Sequence, residues 1–138
     1  MSGFSRLGHE NMEVPVELTK IIINESTAQQ VIVLKEVEGD RHFPIVIGMP
    51  EILAIDRRIK GLEFPRPLTH DLIVNTIELL GGILKKVVIT DLKDHTYYAN
   101  LCVKLNGEII NIDCRPSDAL AVCAGMDVPV YVEGSVFS

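Results

Sequence analysis

The sequence predicts an α+β fold: two strand–strand–strand–helix units, an additional central helix, and mixed sheets packed around the helices. Three observations lead there. Runs rich in β-branched residues alternate with turn residues over 14–47 and again over 84–112, as half-buried strands do. Each set is followed by a proline and then by apolar residues at helical spacing. The two helical stretches also align, Glu51-Ile52-Leu53-Ala54-Ile55 against Asp118-Ala119-Leu120-Ala121-Val122: an acid, a spacer, Leu, Ala and a β-branched residue. Matched order and matched local pattern predict an internal duplication, with halves at approximately 14–60 and 84–132. Each half alone would expose an apolar sheet face, which two halves packed with helices between them would bury.

The elements follow in order. Val14 to Ile23 and Gln30 to Val37 read as strands separated by the turn residues Asn24-Glu25-Ser26. Glu38-Gly39-Asp40 signals a hairpin into a short strand, Phe43 to Ile47. Pro50 suits the first turn of a helix running to about Lys60, with Ile52, Ile55 and Ile59 as its stripe and an Asp56–Lys60 pair. Prolines bracket the next connector, and residues before proline are pushed toward extended geometry. Thr69 is the predicted N-cap of a second helix whose buried stripe is Leu72/Ile73, Ile77 and Leu80. Strands over Leu84 to Thr90, Thr96 to Leu105 and Glu108 to Ile112 come next, the last two joined by Asn106-Gly107. A helix from Pro116 to Gly125 and a strand from Val128 to Val132 complete the chain.

At 138 residues, 47% hydrophobic and 23% charged, the chain has an ordinary globular balance. Residues 1–12 read as a disordered leader and 13–138 as one domain. No apolar run approaches the roughly 20 residues that span a bilayer, and the first residues lack the apolar core of a signal peptide. Three cysteines, Cys102, Cys114 and Cys123, form no Cys-x-x-Cys pair, which argues against a disulfide framework or zinc ribbon and for buried filler. A reduced, cytoplasmic setting and no membrane partner are expected. The net charge of −6 counts against a large duplex-binding surface, because neutralising phosphates needs excess Lys and Arg. A local basic patch or a metal-bridged phosphate remains compatible with it.

Two segments carry chemistry. In Pro65-Arg66-Pro67-Leu68-Thr69-His70-Asp71, the helix start offers free N–H groups and a positive dipole end to an anion such as phosphate. Arg66 can clamp that phosphate through two N–H groups. His70 is best placed for proton transfer, since an imidazole changes charge near neutral pH. Asp71 can orient a neighbour or bind Mg²⁺ or Mn²⁺. In Asp113-Cys114-Arg115-Pro116-Ser117-Asp118-Ala119 an arginine, a proline and a carboxylate again meet at a helix start, and Glu51 holds the equivalent place in the first half. If the helix starts face one cleft, Glu51, His70, Asp71 and Asp118 become a catalytic set, with Arg66, Arg115 and Ser117 binding phosphate. The alternative gives the same residues structural work: Asp71 complements a helix dipole, and an Arg–Asp network pins the two halves together. His9, His42 and His95 fall in a tail, a strand edge and a turn. Lys35, Lys85-Lys86 and Arg57-Arg58-x-Lys60 read as solvated faces, the last also as a candidate phosphate-tracking patch beside Arg66. Aromatics at 5% with no Trp give poor support for a stacking platform.

These two segments, with Ile47-Gly48-x-x-Glu51, Tyr97-Tyr98-Ala99 and Val128-Pro129-Val130-Tyr131-Val132, resemble the signature of the bifunctional nuclease domain family over roughly Val16 to Phe137. Ile52 stands where that pattern usually has alanine, and His95 where it often has glycine. The resemblance implies DNase and RNase activity, with DNA or RNA as partner. It assigns no catalytic set, so the site residues above come from their chemistry and spacing. Two functions stand side by side. One is a nuclease hydrolysing phosphodiester bonds, with Mg²⁺ or Mn²⁺ as the candidate ion. The other is a non-catalytic regulatory or ligand-binding module in which the Arg/Asp/His cluster is structural. Self-association into a homodimer or higher homo-oligomer through an exposed sheet edge is expected in either case.

Overall fold

The computed structural model describes residues 12–137 apart from Glu25, Ala28 and His95. The expected leader, except for residue 12, and the His9 and His95 readings therefore lie outside the described residues. Strands β1 (Glu13–Ile22), β2 (Gln29–Glu36) and β3 (His42–Gly48) precede helix α1 (Met49–Ile59), and helix α2 (Thr69–Leu79) follows. Strands β4 (Ile83–Lys93), β5 (Thr96–Leu105) and β6 (Glu108–Cys114) precede α3 (Pro116–Cys123), and β7 (Val130–Glu133) leads into a 3₁₀ turn, Gly134–Phe137. The strand–strand–strand–helix order thus appears twice, with α2 between the two units. At Asn106-Gly107 both residues are left-handed, φ 52° and 81°, the geometry that matches the twist of a tight hairpin.

The seven strands among the described residues share one mixed sheet, ordered β3-β2-β1-β7-β4-β5-β6. Neighbours pair antiparallel except β7 and β4, which run parallel through Val87↔Val130 and Ile89↔Val132. The two three-stranded units therefore join edge to edge, with β7 as the seam. The sheet also curls, because the Phe43 ring of β3 meets the Tyr97 ring of β5 at 6.1 Å between centroids. Inside the curl lies α3, which contacts β3, β4, β5 and both other helices. Its Ala119, Leu120, Ala121, Val122 and Cys123 are all buried, and the alanines let its neighbours approach closely. Ile32, Leu34, Ile52, Ile55, Val87, Ile89, Val122 and Val132 are the largest apolar side chains fully removed from water, each contributing about 1.5–3 kcal/mol.

Two helix faces differ from expectation. Ile52 and Ile55 of α1 are buried, but Ile59 at its end is half exposed. On α2 the packed residues are Ile73, Val74 and Ile77, whereas Leu72 and Leu80 face solvent. That helix packs mainly on α3 and β4 at the rim of the fold, so only a narrow stripe is covered. The Asp56–Lys60 pair forms as expected, at 2.9 Å. Among the described residues no helix is long and apolar enough to cross a membrane.

Cys102 and Cys123 are buried, Cys114 is half-buried, and all three are free thiols. Burial pushes Cys114 and Cys123 up to about 11. At pH 8 about one such thiol in a thousand is then a thiolate. Alkylation by iodoacetamide at pH 8 is accordingly expected to be slow at both positions in the native protein and rapid in urea, as followed by intact-mass spectrometry. Fast native labelling of Cys123 would contradict its burial.

Candidate active site

Three helix starts surround one cavity of about 900 Å³. The chain enters α1 through extended Gly48 with Pro50 in the first turn, and enters α3 through extended Arg115 with Pro116 in the first turn. Proline fits there because the first N–H groups of a helix have no internal partner to lose. Glu51, His70, Asp71, Arg115 and Asp118 all line this cavity, so the expected convergence of the helix starts is present. The N-cap of α2 is Leu68 rather than Thr69, and its N–H donates to Asp71 Oδ2 at 3.1 Å, so the carboxylate caps the helix.

Four side chains form a continuous polar chain. His70 Nε2 lies 3.1 Å from Asp118 Oδ1, Arg115 Nε donates to Asp118 Oδ2 at 2.8 Å, and Arg115 Nη2 reaches Glu51 Oε1 at 3.2 Å. Each half of the chain and the central helix supply members of it. Burial acts to raise the Asp118 carboxyl, but the hydrogen bonds from Arg115 and His70 outweigh it and hold the group below the usual carboxylate range. The same Asp118 bond raises Arg115. An ionised Asp118 is an acceptor, so the proton at this contact sits on His70 Nε2 and leaves Nδ1 as the nitrogen free to exchange a proton. Arg115 is 66% exposed, while His70 is only 15% exposed, so the guanidinium faces solvent over a largely enclosed imidazole.

A second network fixes the frame. Arg58 bonds the Asp71 carboxylate through Nη1 and donates to the carbonyls of Val122 at 3.0 Å and Ala124 at 3.2 Å. It ties the end of α1 to the start of α2 and the end of α3, and it engages Asp71 Oδ1 while Oδ2 caps α2. The sequence reading of Arg57 and Arg58 as a solvated face missed this. A signal was present: Glu51, Ala54 and Arg58 are spaced three and four apart, on one face of α1. Arg57 also lines the cavity, its guanidinium 5.2 Å from the Phe64 ring. Arg66 is exposed and lies outside the cavity lining, one residue from Pro67, which belongs to it. Ser117 is buried and lines a neighbouring cavity of about 500 Å³; Glu51 and Arg115 border both spaces and form the wall between them.

The carboxylates do not fit a resident divalent ion. Glu51 and Asp118 are bridged by Arg115, and Asp71 is held by Arg58, so a guanidinium stands at each place where a cation would be needed. Among the described residues no group of three or more His, Cys, Asp or Glu side chains is arranged to hold a metal.

Known proteins are similar to this chain over most of its length. An uncharacterized protein of Mycobacterium tuberculosis is 43% identical over 123 residues, covering 89% of this chain and 73% of that protein. Bifunctional nuclease 2 of Oryza sativa subsp. japonica is 31% identical over 119 residues, 83% of this chain but 36% of its own length. Bifunctional nuclease 1 of Oryza sativa subsp. indica is 27% identical over 114 residues, 80% of this chain and 34% of its own. The chain thus spans about a third of these plant relatives. The model of the bifunctional nuclease domain matches residues 32–138, from β2 through both halves of the polar chain, and on that ground the chain belongs to the bifunctional nuclease domain family.

Proposed function

We propose that this chain hydrolyses phosphodiester bonds of DNA or RNA in the cavity at the three helix starts. The observation that carries the reading is the Glu51–Arg115–Asp118–His70 chain, an oriented imidazole beside an exposed guanidinium. In hydrolysis the oxygen of water forms a bond to phosphorus as the bond to the leaving oxygen breaks. His70 Nδ1 takes the proton from water and returns one to the leaving oxygen, while Asp118 holds the ring. Arg115 binds the phosphate oxygens with its unengaged N–H groups, while Ser117, on the far side of the Glu51–Arg115 wall, does not reach this phosphate. Arg66, exposed next to the rim, meets the strand outside the cavity. Glu51 sets Arg115, and Asp71 sets the start of α2. No step passes through a metal ion. The family name of the plant relatives supports the same activity.

The test incubates purified protein with single- and double-stranded DNA and RNA, with Mg²⁺, Mn²⁺ or EDTA, beside His70→Ala and Asp118→Ala. Cleavage by the wild type that falls at least about 100-fold in His70→Ala is expected. Cleavage unchanged in both variants marks a contaminant and overturns the reading. One observation favours a second reading, a non-catalytic module: every carboxylate paired in the site is held by an arginine, as in a structural network. Under that reading the wild type cleaves nothing in any condition, while both variants lower the melting temperature.

A second copy paired on the β6 edge belongs to the same proposal. Ile109, Ile110 and Ile112 on this edge strand are exposed, and Ile110 and Ile112 line an apolar groove with Ile77, Leu80, Val103 and Leu105. Antiparallel self-pairing centred on Asn111 sets Ile110 of each copy against Ile112 of the other and satisfies the open backbone ladder. Light scattering after size exclusion is expected to give a dimer for the wild type and a monomer for Ile110→Lys. A monomeric wild type would refute this part.

A further inference from the structure

The cations that line the site differ in one respect. Arg115 is engaged by Asp118 and Glu51, Arg58 by Asp71 and two carbonyls, and His70 by Asp118. Arg57 has no carboxylate partner among the described residues. Its Nε is shut off from solvent without a hydrogen-bond acceptor, and its guanidinium lies over the Phe64 ring, 5.2 Å from the centroid. A desolvated donor left unpaired is unfavourable, which marks this guanidinium off from its carboxylate-paired neighbours. Stacking on an aromatic face holds the guanidinium plane while leaving its edge N–H groups available, the arrangement suited to a phosphate.

Placement supplies the second half of the argument. Arg57 is six residues beyond Glu51 on α1, about 9 Å along the helix axis. Glu51 carries Arg115, so the two guanidiniums are anchored toward opposite ends of α1, and both line one cavity. Two guanidiniums held from separate turns of the helix beside one cavity suit two phosphates of a strand rather than one. We propose that Arg57, backed by Phe64, binds the phosphate adjacent to the one held by Arg115, so that the cavity takes a single strand through at least two consecutive phosphates. This rests on the nuclease reading for the identity of the ligand, and it assigns a binding residue outside the segments around His70 and Asp118.

Binding is measured by fluorescence anisotropy of a labelled single-stranded deoxytetranucleotide in EDTA, using the full chain. Arg57→Met is expected to weaken binding about tenfold, Arg57→Lys less, and Phe64→Leu to an intermediate degree, while Lys20→Ala, exposed on β1, leaves it unchanged. The slope of log affinity against log salt is expected to fall by about 0.7 in Arg57→Met, the change for one phosphate contact on a single strand. Replacing one internal phosphate at a time by a neutral methylphosphonate is expected to reveal a position that weakens the wild type but not Arg57→Met. Thermal melting of each variant separates misfolding from lost contact, and Arg57→Lys retains the charge if Arg57→Met fails to fold. Unchanged affinity and slope in Arg57→Met and Arg57→Lys, or equal methylphosphonate effects in wild type and variants, overturns the proposal. A wild type that binds with this pattern but cleaves nothing sinks the nuclease reading alone. A wild type that cleaves while Arg57→Met binds normally sinks this inference alone.

Discussion

Asp118→Asn is expected to lower phosphodiester cleavage by about 10²–10⁴-fold without unfolding the protein. The carboxylate accepts from His70 with one oxygen and from Arg115 with the other. An amide has one oxygen and one NH₂, so it can serve only one of these donors. Its oxygen goes to the permanently charged Arg115, and its NH₂ then faces His70 Nε2. That nitrogen must become an acceptor, which moves the ring proton to Nδ1, the nitrogen proposed to collect a proton from water. The geometry survives and the tautomer is wrong. Steady-state cleavage compared with circular dichroism distinguishes this from collapse; a loss below about tenfold would remove Asp118 from the mechanism. The stability effect has a defined pH sign. The folded carboxyl lies below its ordinary value, so its contribution is complete above the unfolded value of about 3.9 and is lost as pH falls through the folded one. Urea midpoints of wild type and Asp118→Asn should therefore differ at pH 5–7 and converge toward pH 3 and below.

The largest stability effects are expected at Arg58 and at the glycine it abuts. Arg58→Met keeps much of the stem but leaves the Asp71 carboxylate and the Val122 and Ala124 carbonyls without their donor. Removing one partner of a buried pair costs about 3–5 kcal/mol; with Asp71 36% exposed, about 2–4 kcal/mol is expected. Gly125, just past α3, has φ +75°, and a Cβ there would stand 2.3 Å from the Arg58 carbonyl oxygen. Gly125→Ala meets both the left-handed strain, about 1–2 kcal/mol, and an overlap with helix backbone that cannot swing aside. A melting temperature lower by roughly 10 °C in each variant is the expected result, read by calorimetry. Either variant within about 0.5 kcal/mol of wild type would show that this junction does not hold the three helices in place.

Much of this arrangement was legible in advance because it is local. Strand alternation, the Asn106-Gly107 turn and the prolines at 50 and 116 act within a few residues, so the elements and the three helix starts followed from them. The partners within the site were not legible. Arg115 to Asp118 is three residues, but His70 to Asp118 spans 48, and only the curl of the sheet around α3 brings them together. Arg58 was misread because a basic residue in a last helical turn serves the helix dipole equally well in solvent; its burial depends on α2 and α3 arriving beside it. Leu72 and Leu80 were misread for the converse reason: an apolar stripe does not disclose how wide a surface will cover it.

The position of β7 has a consequence for a chain that lacks it. It follows both three-stranded units in the chain yet lies between them in the sheet. Without it, β1 and β4 would both present open edges, and the two units would have no strand through which to join. A chain cut before β7 is therefore expected to expose the edges of β1 and β4, each able to capture a strand from another molecule. Among the described residues β7 is the last strand in chain order, and it is the one that joins the two units around the cavity.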